Sequence, residues 1–257
     1  MALGRRSVRE FLGRHVRAIL TYHSIDRAGT AISVTPEGFA RHISWLAHSS
    51  VRVVPLAELL EAQESADAAS ITFDDALGSV MEIAAPILAG HGLTATLFVP
   101  TGRVGGDNRW HGTGDPGIPV QRVMTWEEIG TLAERGWTIG AHTRTHPRLN
   151  ECADQRLTDE LEGAAEDIRT NTGNRPRTLA YPYGANDSRV RVAAGRVYDM
   201  ACTVDLRPLG RAEDRTTLPR LDAYFLHGAG AIEGWGSGVQ RRYLSLRRTI
   251  RRIRRRQ

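Results

Sequence analysis

The chain has 257 residues, of which 41% are hydrophobic and 25% are charged. This length suits one large domain, such as a single α/β barrel, and the composition argues against wholesale disorder and against a membrane bundle. The formal net charge of +5 is not spread evenly, because residues 241–256 hold nine arginines and no acid. The rest of the chain is therefore mildly acidic, so we expect no nucleic-acid-binding face on the domain.

The N-terminal residues 1–17 carry five arginines with only short apolar stretches between them. They lack the continuous apolar core of a secretion signal, and no segment of the chain approaches the roughly twenty apolar residues of a membrane span. We therefore expect a cytoplasmic protein. Two cysteines fifty residues apart, Cys152 and Cys202, define no disulfide framework and match no zinc-site spacing, so we expect free thiols.

Strand-like apolar runs alternate with helix-like segments from residue 18 almost to the end of the chain. This alternation predicts a mostly parallel sheet that is closed or nearly closed into a barrel. The predicted strands span residues 18–22, 51–54, 69–73, 95–99, 137–141, 178–181, 200–204 and 218–221. Helices are predicted from the capping residue Thr35 onward and over residues 76–89, 125–134 and 153–171. The predicted organisation is a basic lead-in (1–17), a barrel domain (18–227) and a Gly-rich and Arg-rich C-terminal segment (228–257).

Two adjacent carboxylates, Asp74 and Asp75, follow directly on the predicted strand 69–73. Ionised carboxylates side by side repel each other, so such a pair usually has a cation between its members, or its members differ in pKa and divide an acid and a base role. From these residues alone, a solvated turn in which Asp is common is the alternative.

Two histidines, His142 and His146, follow the predicted strand 137–141. Histidines four residues apart can reach one ion, and imidazole together with carboxylate suits zinc and its first-row neighbours. In a chain with nine histidines, the spacing by itself is also consistent with chance or with a structural role. The pair gains weight because parallel sheets gather functional groups at the carboxyl ends of their strands.

Other polar groups are predicted at the same edge of the sheet. Tyr22-His23-Ser24 follows the first strand, and Tyr181-Pro182-Tyr183-Gly184 follows the strand that begins at residue 178. A glycine-rich loop at residues 102–117, which contains Arg109, Trp110 and His111, belongs either to the rim of this site or to a plain surface excursion.

Three motifs in this order resemble the NodB-like polysaccharide deacetylases, carbohydrate esterase family 4. They are Thr-Phe-Asp-Asp at 72–75, His-Thr-x-x-His at 142–146 and Tyr-Pro-Tyr-Gly at 181–184, and the likeness runs from about Leu20 to Leu221. The resemblance implies a deformed (β/α) barrel that binds one divalent metal, usually zinc, and removes acetyl groups from N-acetylated sugars. Cobalt, nickel or manganese would suit the same ligands.

The resemblance also implies a role for each matching residue. Asp74 would be the catalytic base, and Asp75, His142 and His146 would be the metal ligands. The N–H that stabilises the developing oxyanion would come from Tyr183. A site with three protein ligands leaves room for water, and zinc lowers the pKa of such a water to about 7.

Two positions depart from the commonest pattern of this family. The arginine expected two residues before the proline of the third motif is replaced by Ala180, and our hypothesis is that Arg220 supplies the guanidinium from a neighbouring strand. The acid that must protonate the leaving amine has two candidates, His227 and His23. We favour His23, because it ends the first strand and the first and last strands of a closed barrel are neighbours.

The C-terminal segment predicts an amphipathic helix with Tyr243, Leu246, Ile250 and Ile253 on one face. Such a helix could pack on the barrel by its apolar stripe, make peripheral contact with an anionic membrane, or bind nucleic acid, in that order of preference. The oligomeric state is not predicted.

The leading function from sequence is removal of acetyl from an N-acetylated carbohydrate. A close alternative removes formyl or another small acyl group from a sugar amine, and a different class is a non-catalytic barrel that binds carbohydrate. The last alternative predicts loss of the base or of a ligand, and neither is lost in this chain.

Overall fold

The computed structural model describes residues 15–61, 65–110 and 112–254, so the basic lead-in predicted over 1–17 lies almost wholly outside the described residues. The strands are β1 (Arg17–Tyr22), β2 (Ser24–Ile25), β3 (Ser33–Val34), β4 (Arg52–Val53), β5 (Ala68–Phe73), β6 (Thr96–Val99), β7 (Thr138–Ala141), β8 (Thr178–Ala180), β9 (Met200–Cys202) and β10 (Leu221–Asp222). The α-helices are α1 (Pro36–His48), α2 (Leu56–Glu61), α3 (Ala85–Gly90), α4 (Trp126–Glu134), α5 (Asp154–Thr158), α6 (Ala164–Thr172), α7 (Ser188–Val197) and α8 (Gly238–Arg254).

Eight parallel strands form one curled sheet in the order β10-β1-β5-β6-β7-β8-β9, with β4 also paired to β5. Every residue of β1 and β5 is buried, as is typical of parallel strands that are covered on both faces. The first and last strands pair, with Leu20 opposite Leu221, and an isolated parallel bridge joins Cys202 to Leu218. The predicted deformed (β/α) barrel is therefore confirmed, and the first and last strands are neighbours.

The predicted helices form with two local differences. The helix predicted over 76–89 begins only at Gly78, passes through a π-helical turn at Val80–Ala84 and continues as α3. It starts late because the backbone at Asp75 and Ala76 has positive φ values of 68° and 49° that a helix does not contain. The helix predicted over 153–171 is split into α5 and α6 by a π-helical turn at Asp159–Gly163. Such turns are frequent beside functional sites.

The C-terminal helix α8 crosses the barrel without burying its whole apolar stripe. Leu244 is buried against the core, but Leu246 and Ile253 are 60% and 57% exposed. The prediction that the apolar stripe packs on the barrel is therefore wrong for Leu246 and Ile253. On the side of the helix that faces the barrel stand Arg247 and Arg251 instead. No helix of the described residues has the length and apolarity that crossing a bilayer requires.

Helix α1 packs on the sheet through its buried face and adds a titratable group to the core. Thr35 caps it by accepting a hydrogen bond from the Gly38 N–H. On the buried face, His42 is 2% exposed, its Nδ1 lies 3.1 Å from the Tyr22 hydroxyl, and its Nε2 lies 3.0 Å from the Leu226 carbonyl oxygen. A neutral ring satisfies both contacts by accepting at Nδ1 and donating at Nε2. Burial lowers the pKa of His42 to about 4.

We expect His42 to make stability depend on pH. Since the pKa of an unfolded histidine is about 6.5, the unfolded chain takes up a proton at this residue before the folded protein does. The unfolding free energy should therefore fall by about 2.5 kcal/mol from this group between pH 7 and pH 4.5. Urea unfolding of the wild type and of His42→Gln at both pH values measures the difference. Equal pH dependence in the two proteins would contradict the assignment.

Candidate active site

The predicted functional side chains meet at the carboxyl edge of the sheet, where they line a cleft of about 1010 Å³. They come from the loops that follow β1, β5, β7 and β8 and from the segment just before β10. The predicted site residues that line the cleft are His23, Asp74, Asp75, His142, His146, Tyr183 and Arg220. The parallel topology explains the convergence of the residues that follow β1, β5, β7 and β8, because these strands end on the same side. Arg220 joins them because the short β10 pairs with the carboxyl end of β1, with Leu221 opposite Leu20.

One carboxylate and two imidazoles at this edge are close enough to share an ion. Asp75 Oδ1 lies 3.4 Å from His142 Nε2 and 3.3 Å from His146 Nε2, and the ligand atoms of the three buried residues lie within 4.8 Å of one another. Two atoms bound to one tetrahedral zinc at about 2.0–2.1 Å are about 3.3–3.4 Å apart. Asp75 Oδ1 is buried without a hydrogen-bond partner among the described residues, and a buried acceptor of this kind is suited to be a metal ligand. The three residues therefore fit a single divalent ion.

The two histidines are oriented by different means. His142 Nδ1 lies 2.7 Å from the Ala180 carbonyl oxygen, so Nδ1 carries the proton and the lone pair of Nε2 faces Asp75. The ring of His146 instead packs between the rings of Trp110 and Tyr183, with centroid distances of 4.5 Å and 4.8 Å. Trp110 thus belongs to the site, while its neighbour in the sequence, residue 111, is outside the described residues.

The loops that carry the site hold unusual backbone conformations. Within the part of the chain that the structure describes, the non-glycine residues with positive φ are Asp75, Ala76, Thr143, His146 and Tyr183. All of them belong to the three motifs or directly follow one. Such conformations cost about 1–3 kcal/mol each and persist where the surroundings enforce them, which is common at functional sites.

A buried carboxylate that sequence reasoning missed supports the histidine loop. Glu160, in the π-helical turn, is 2% exposed. Its Oε2 accepts hydrogen bonds from the Arg144 and Thr145 N–H groups at 2.9 Å and 2.8 Å, and the Thr145 hydroxyl donates to its Oε1. Within the loop, the Thr143 hydroxyl accepts a hydrogen bond from the His146 N–H at 3.1 Å. Nothing in the local sequence distinguishes this glutamate from the other acidic residues of the same polar helix.

Asp74 forms a buried two-point ion pair with Arg220. Arg220 Nη1 and Nη2 lie 2.7 Å from Asp74 Oδ1 and Oδ2 respectively, and both residues are 2% exposed. The Arg220 Nε–H donates to the Thr203 carbonyl oxygen at 2.9 Å. Burial raises the pKa of Asp74, but the charge of Arg220 outweighs burial and holds that pKa below its usual value. Arg220 therefore stands against the carboxylate as hypothesised, and Asp74 is ionised at neutral pH.

The pKa shifts of the three clustered residues differ. Burial lowers the pKa of His142, but the neighbouring carboxylates of Asp75 and Asp74 outweigh burial and raise that pKa above its usual value, so a metal that binds here competes with a proton at this imidazole. Burial raises the pKa of Asp75, but the nearby imidazoles of His142 and His146 outweigh burial and hold that pKa well below its usual value. Burial lowers the pKa of His146, so its imidazole is neutral at pH 7. A carboxylate and neutral imidazole are the forms in which these side chains bind a metal.

The structure separates the two candidate acids. His23 lines the cleft, and its Nε2 lies 3.7 Å from Asp74 Oδ2. His227 is exposed, does not line the cleft, and packs its ring at 5.8 Å from Tyr224. Only His23 of this pair is thus within reach of the other predicted groups.

Comparisons with known proteins agree with this arrangement. Residues 61–198, more than half of the chain, match the sequence profile of the family described as polysaccharide deacetylase. The poly-β-1,6-N-acetyl-D-glucosamine N-deacetylase of Staphylococcus epidermidis is 24% identical over 203 residues, which are 74% of this chain and 67% of that protein. YxkH of Bacillus subtilis, which bears the name of a polysaccharide deacetylase, is 25% identical over 79% of this chain and 70% of its own length.

Solved structures share the fold. IcaB from Ammonifex degensii superposes with a TM-score of 0.70 at 20% identity, over 89% of this chain and 99% of that one. A polysaccharide deacetylase of Bacillus cereus superposes with a TM-score of 0.69 at 20% identity. The superposition covers 82% of this chain but only 65% of the Bacillus cereus chain. Since the family profile covers more than half of the chain and includes all three motifs with the strands that carry them, this chain belongs to the polysaccharide deacetylase family.

Proposed function

We propose that this protein is a metal-dependent hydrolase that removes the acetyl group from the nitrogen of an N-acetylated sugar. The observation that carries the proposal is the placement of the Asp75, His142 and His146 cluster beside the ionised Asp74 in one cleft. The Staphylococcus epidermidis relative, which is named for deacetylation of poly-β-1,6-N-acetyl-D-glucosamine, supports the class of substrate.

Asp75, His142 and His146 would hold the ion, for which zinc is our first choice and cobalt, nickel and manganese are the alternatives. A divalent ion bound there supplies a Lewis acid that polarises the amide carbonyl and acidifies water. Asp74, which Arg220 keeps ionised, accepts the proton of the attacking water. The buried ion pair also prevents Asp74 from turning away from the cleft, so the base is preorganised for that transfer.

The two remaining steps fall to the walls of the cleft. His23 donates a proton to the amine nitrogen as the carbon–nitrogen bond breaks, because an unprotonated amine is a poor leaving group. We assign stabilisation of the carbonyl oxygen to the backbone N–H of Tyr183, in the Pro182–Gly184 turn that lines the same cleft. The φ of 58° at Tyr183 supports a functional reason for this turn.

The decisive experiment is to incubate the purified protein with a panel of N-acetylhexosamine glycosides and oligosaccharides and to measure released acetate. We expect release from at least one substrate, loss of release after treatment with a chelator, and recovery when zinc is returned. Parallel formylated substrates show whether the acyl group is acetyl. Release that a chelator does not affect would contradict a metal-dependent reaction.

We expect His23→Ala to lower kcat by about 10²–10⁴-fold, the usual contribution of a positioned acid or base. His227→Ala should leave kcat within about twofold of the wild type, because His227 is exposed outside the cleft. Acetate release under saturating substrate measures both variants, and thermal unfolding checks that each is folded. Normal turnover in the His23 variant together with loss in the His227 variant would reverse the assignment.

A further inference from the structure

The arginine-rich helix α8 forms part of the wall of the catalytic cleft. Arg247 and Arg251, one turn apart, line the same cleft as Asp74 and the metal-ligand cluster. Both guanidiniums lie near the ring of Phe225, at 4.9 Å and 5.3 Å from its centroid. Two cations are thus gathered on one aromatic side chain at the edge of the site.

The two guanidiniums are only partly neutralised. Arg251 Nη1 lies 3.2 Å from Asp222 Oδ2, whereas Arg247 forms no ion pair with any carboxylate of the described residues and lies over the rings of Phe225 and Tyr243. By contrast, the neighbouring Arg248 is turned to Asp205 and held there by two hydrogen bonds. Helix α8 therefore offers the cleft one guanidinium without an ion pair and a second that shares a single carboxylate. Arg148, whose guanidinium lies 4.5 Å from the ring centroid of Tyr183, is a further cation of the cleft lining without an ion pair among the described residues.

We propose that Arg247 and Arg251 bind a phosphoryl group carried by the sugar, so that the substrate is a phosphorylated N-acetyl sugar, with the phosphate as an ester or as part of a diphosphate. This inference rests on the proposed deacetylase function and extends it to the class of substrate. A guanidinium matches the oxygens of phosphate in a two-point, charge-assisted contact. A neutral N-acetylated glycan offers only hydroxyl and amide groups, which leave Arg247 without a charged partner.

A membrane-binding role for the outward side of α8 would not explain why Arg247 and Arg251 face the cleft. Val239, Leu246 and Ile253 are spaced by seven residues and are 66%, 60% and 57% exposed, so they form a stripe on the side that faces away from the barrel. An anionic lipid surface would meet that stripe and the exposed arginines beside it. Arg247 and Arg251 instead face the cavity that contains the catalytic groups, and this placement favours a ligand inside the cleft.

The test compares two small substrates that differ in charge, N-acetylglucosamine 1-phosphate and methyl N-acetylglucosaminide. We expect kcat/KM for acetate release to be about tenfold or more higher for the phosphate, since a hydrogen bond to a charged group contributes about one factor of ten or more. Arg247→Gln should reduce that ratio about tenfold through KM, and Arg247→Lys should retain part of it. Arg242→Gln removes the same charge from an exposed position of α8 outside the cleft lining and should leave the ratio unchanged.

A binding measurement separates this inference from the proposed function. Calorimetric titration with inorganic pyrophosphate requires no turnover, and we expect its Kd to rise about tenfold in Arg247→Gln and not in Arg242→Gln. The inference is overturned if acetate is released while the wild type has no preference for the phosphate, or if both variants bind pyrophosphate like the wild type. If neither sugar releases acetate, the deacetylase proposal fails for these substrates and the pyrophosphate Kd still decides the anion site.

The phosphate that these arginines bind could also belong to a lipid headgroup, and binding to vesicles tests that source. Co-sedimentation with phosphatidylglycerol vesicles is measured for the wild type, Arg247→Gln and Leu246→Ser. We expect Arg247→Gln to pellet like the wild type, because its side chain faces the cleft. Loss of pelleting in Arg247→Gln with unchanged pyrophosphate binding would assign this arginine to a lipid surface and overturn the inference.

Discussion

Asp75→Ala should purify with only a trace of metal and should release no measurable acetate. Asp75 supplies the one anionic ligand of the cluster, and its Oδ1 is the atom that both histidines face. Loss of a residue that merely orients a ligand weakens metal affinity by about 10–100-fold, so loss of the ligand itself should weaken it further. Metal analysis after dialysis against a defined zinc buffer measures the change directly.

The control for this variant is Asp115→Ala, which removes another carboxylate of the cleft lining that is not in the cluster. It should retain about one equivalent of metal. Because Asp75 adopts a φ of 68°, which Asn tolerates, Asp75→Asn is a second variant that keeps the shape of the side chain, replaces one acceptor oxygen by an amide donor and removes the charge. A full equivalent of metal in both Asp75 variants would show that the ion, if any, binds elsewhere.

Arg220→Met should lower the free energy of unfolding by about 3–5 kcal/mol and also depress the rate of acetate release. The substitution leaves the Asp74 carboxylate buried without its partner, and an uncompensated buried charge is strongly destabilising. The double variant Asp74→Asn/Arg220→Met removes both charges and should recover most of the lost stability. Urea unfolding of the two variants and the wild type gives the three free energies.

An exposed ion pair provides the comparison. Arg177 and Asp199 form a pair whose side chains are 74% and 49% exposed, and Arg177→Met should cost about 1 kcal/mol or less. If Arg220→Met were no more destabilising than Arg177→Met, or if the double variant were less stable than Arg220→Met, the buried pair would not act as described. Unchanged turnover in Arg220→Met would rule out a role for its guanidinium beside the base.

Much of the site could be predicted from local sequence. An apolar run that stops at Asp74 and Asp75 is a strand with carboxylates at its end, and the same holds for the histidines after the strand that ends at Ala141. Parallel pairing then brings these strand ends together whatever the details of packing, since all strands of such a sheet point the same way. The resemblance of the motifs to a known family added the roles of the residues.

Other features depend on contacts between distant parts of the chain. Glu160 reaches the histidine loop from a π-helical turn within its helix. The outward position of Leu246 likewise depends on how α8 docks, because a helix with arginines on several sides can pack by more than one face. Secondary-structure propensity and hydrophobic periodicity depend on residues close together in the sequence, so they do not predict contacts between distant parts of the chain.

The amino-acid sequence by itself determined the alternation of strands and helices, the edge at which the carboxylates and histidines stand, and the family. The tertiary structure alone decided that Arg220 faces Asp74 across 146 residues of chain, that His23 enters the cleft while His227 does not, and that two arginines of α8 line it. The physical reason is that the alternation of elements along the chain and the period of the side chains are local properties. A buried ion pair or a docked helix instead depends on which distant parts of the chain pack together and exclude water.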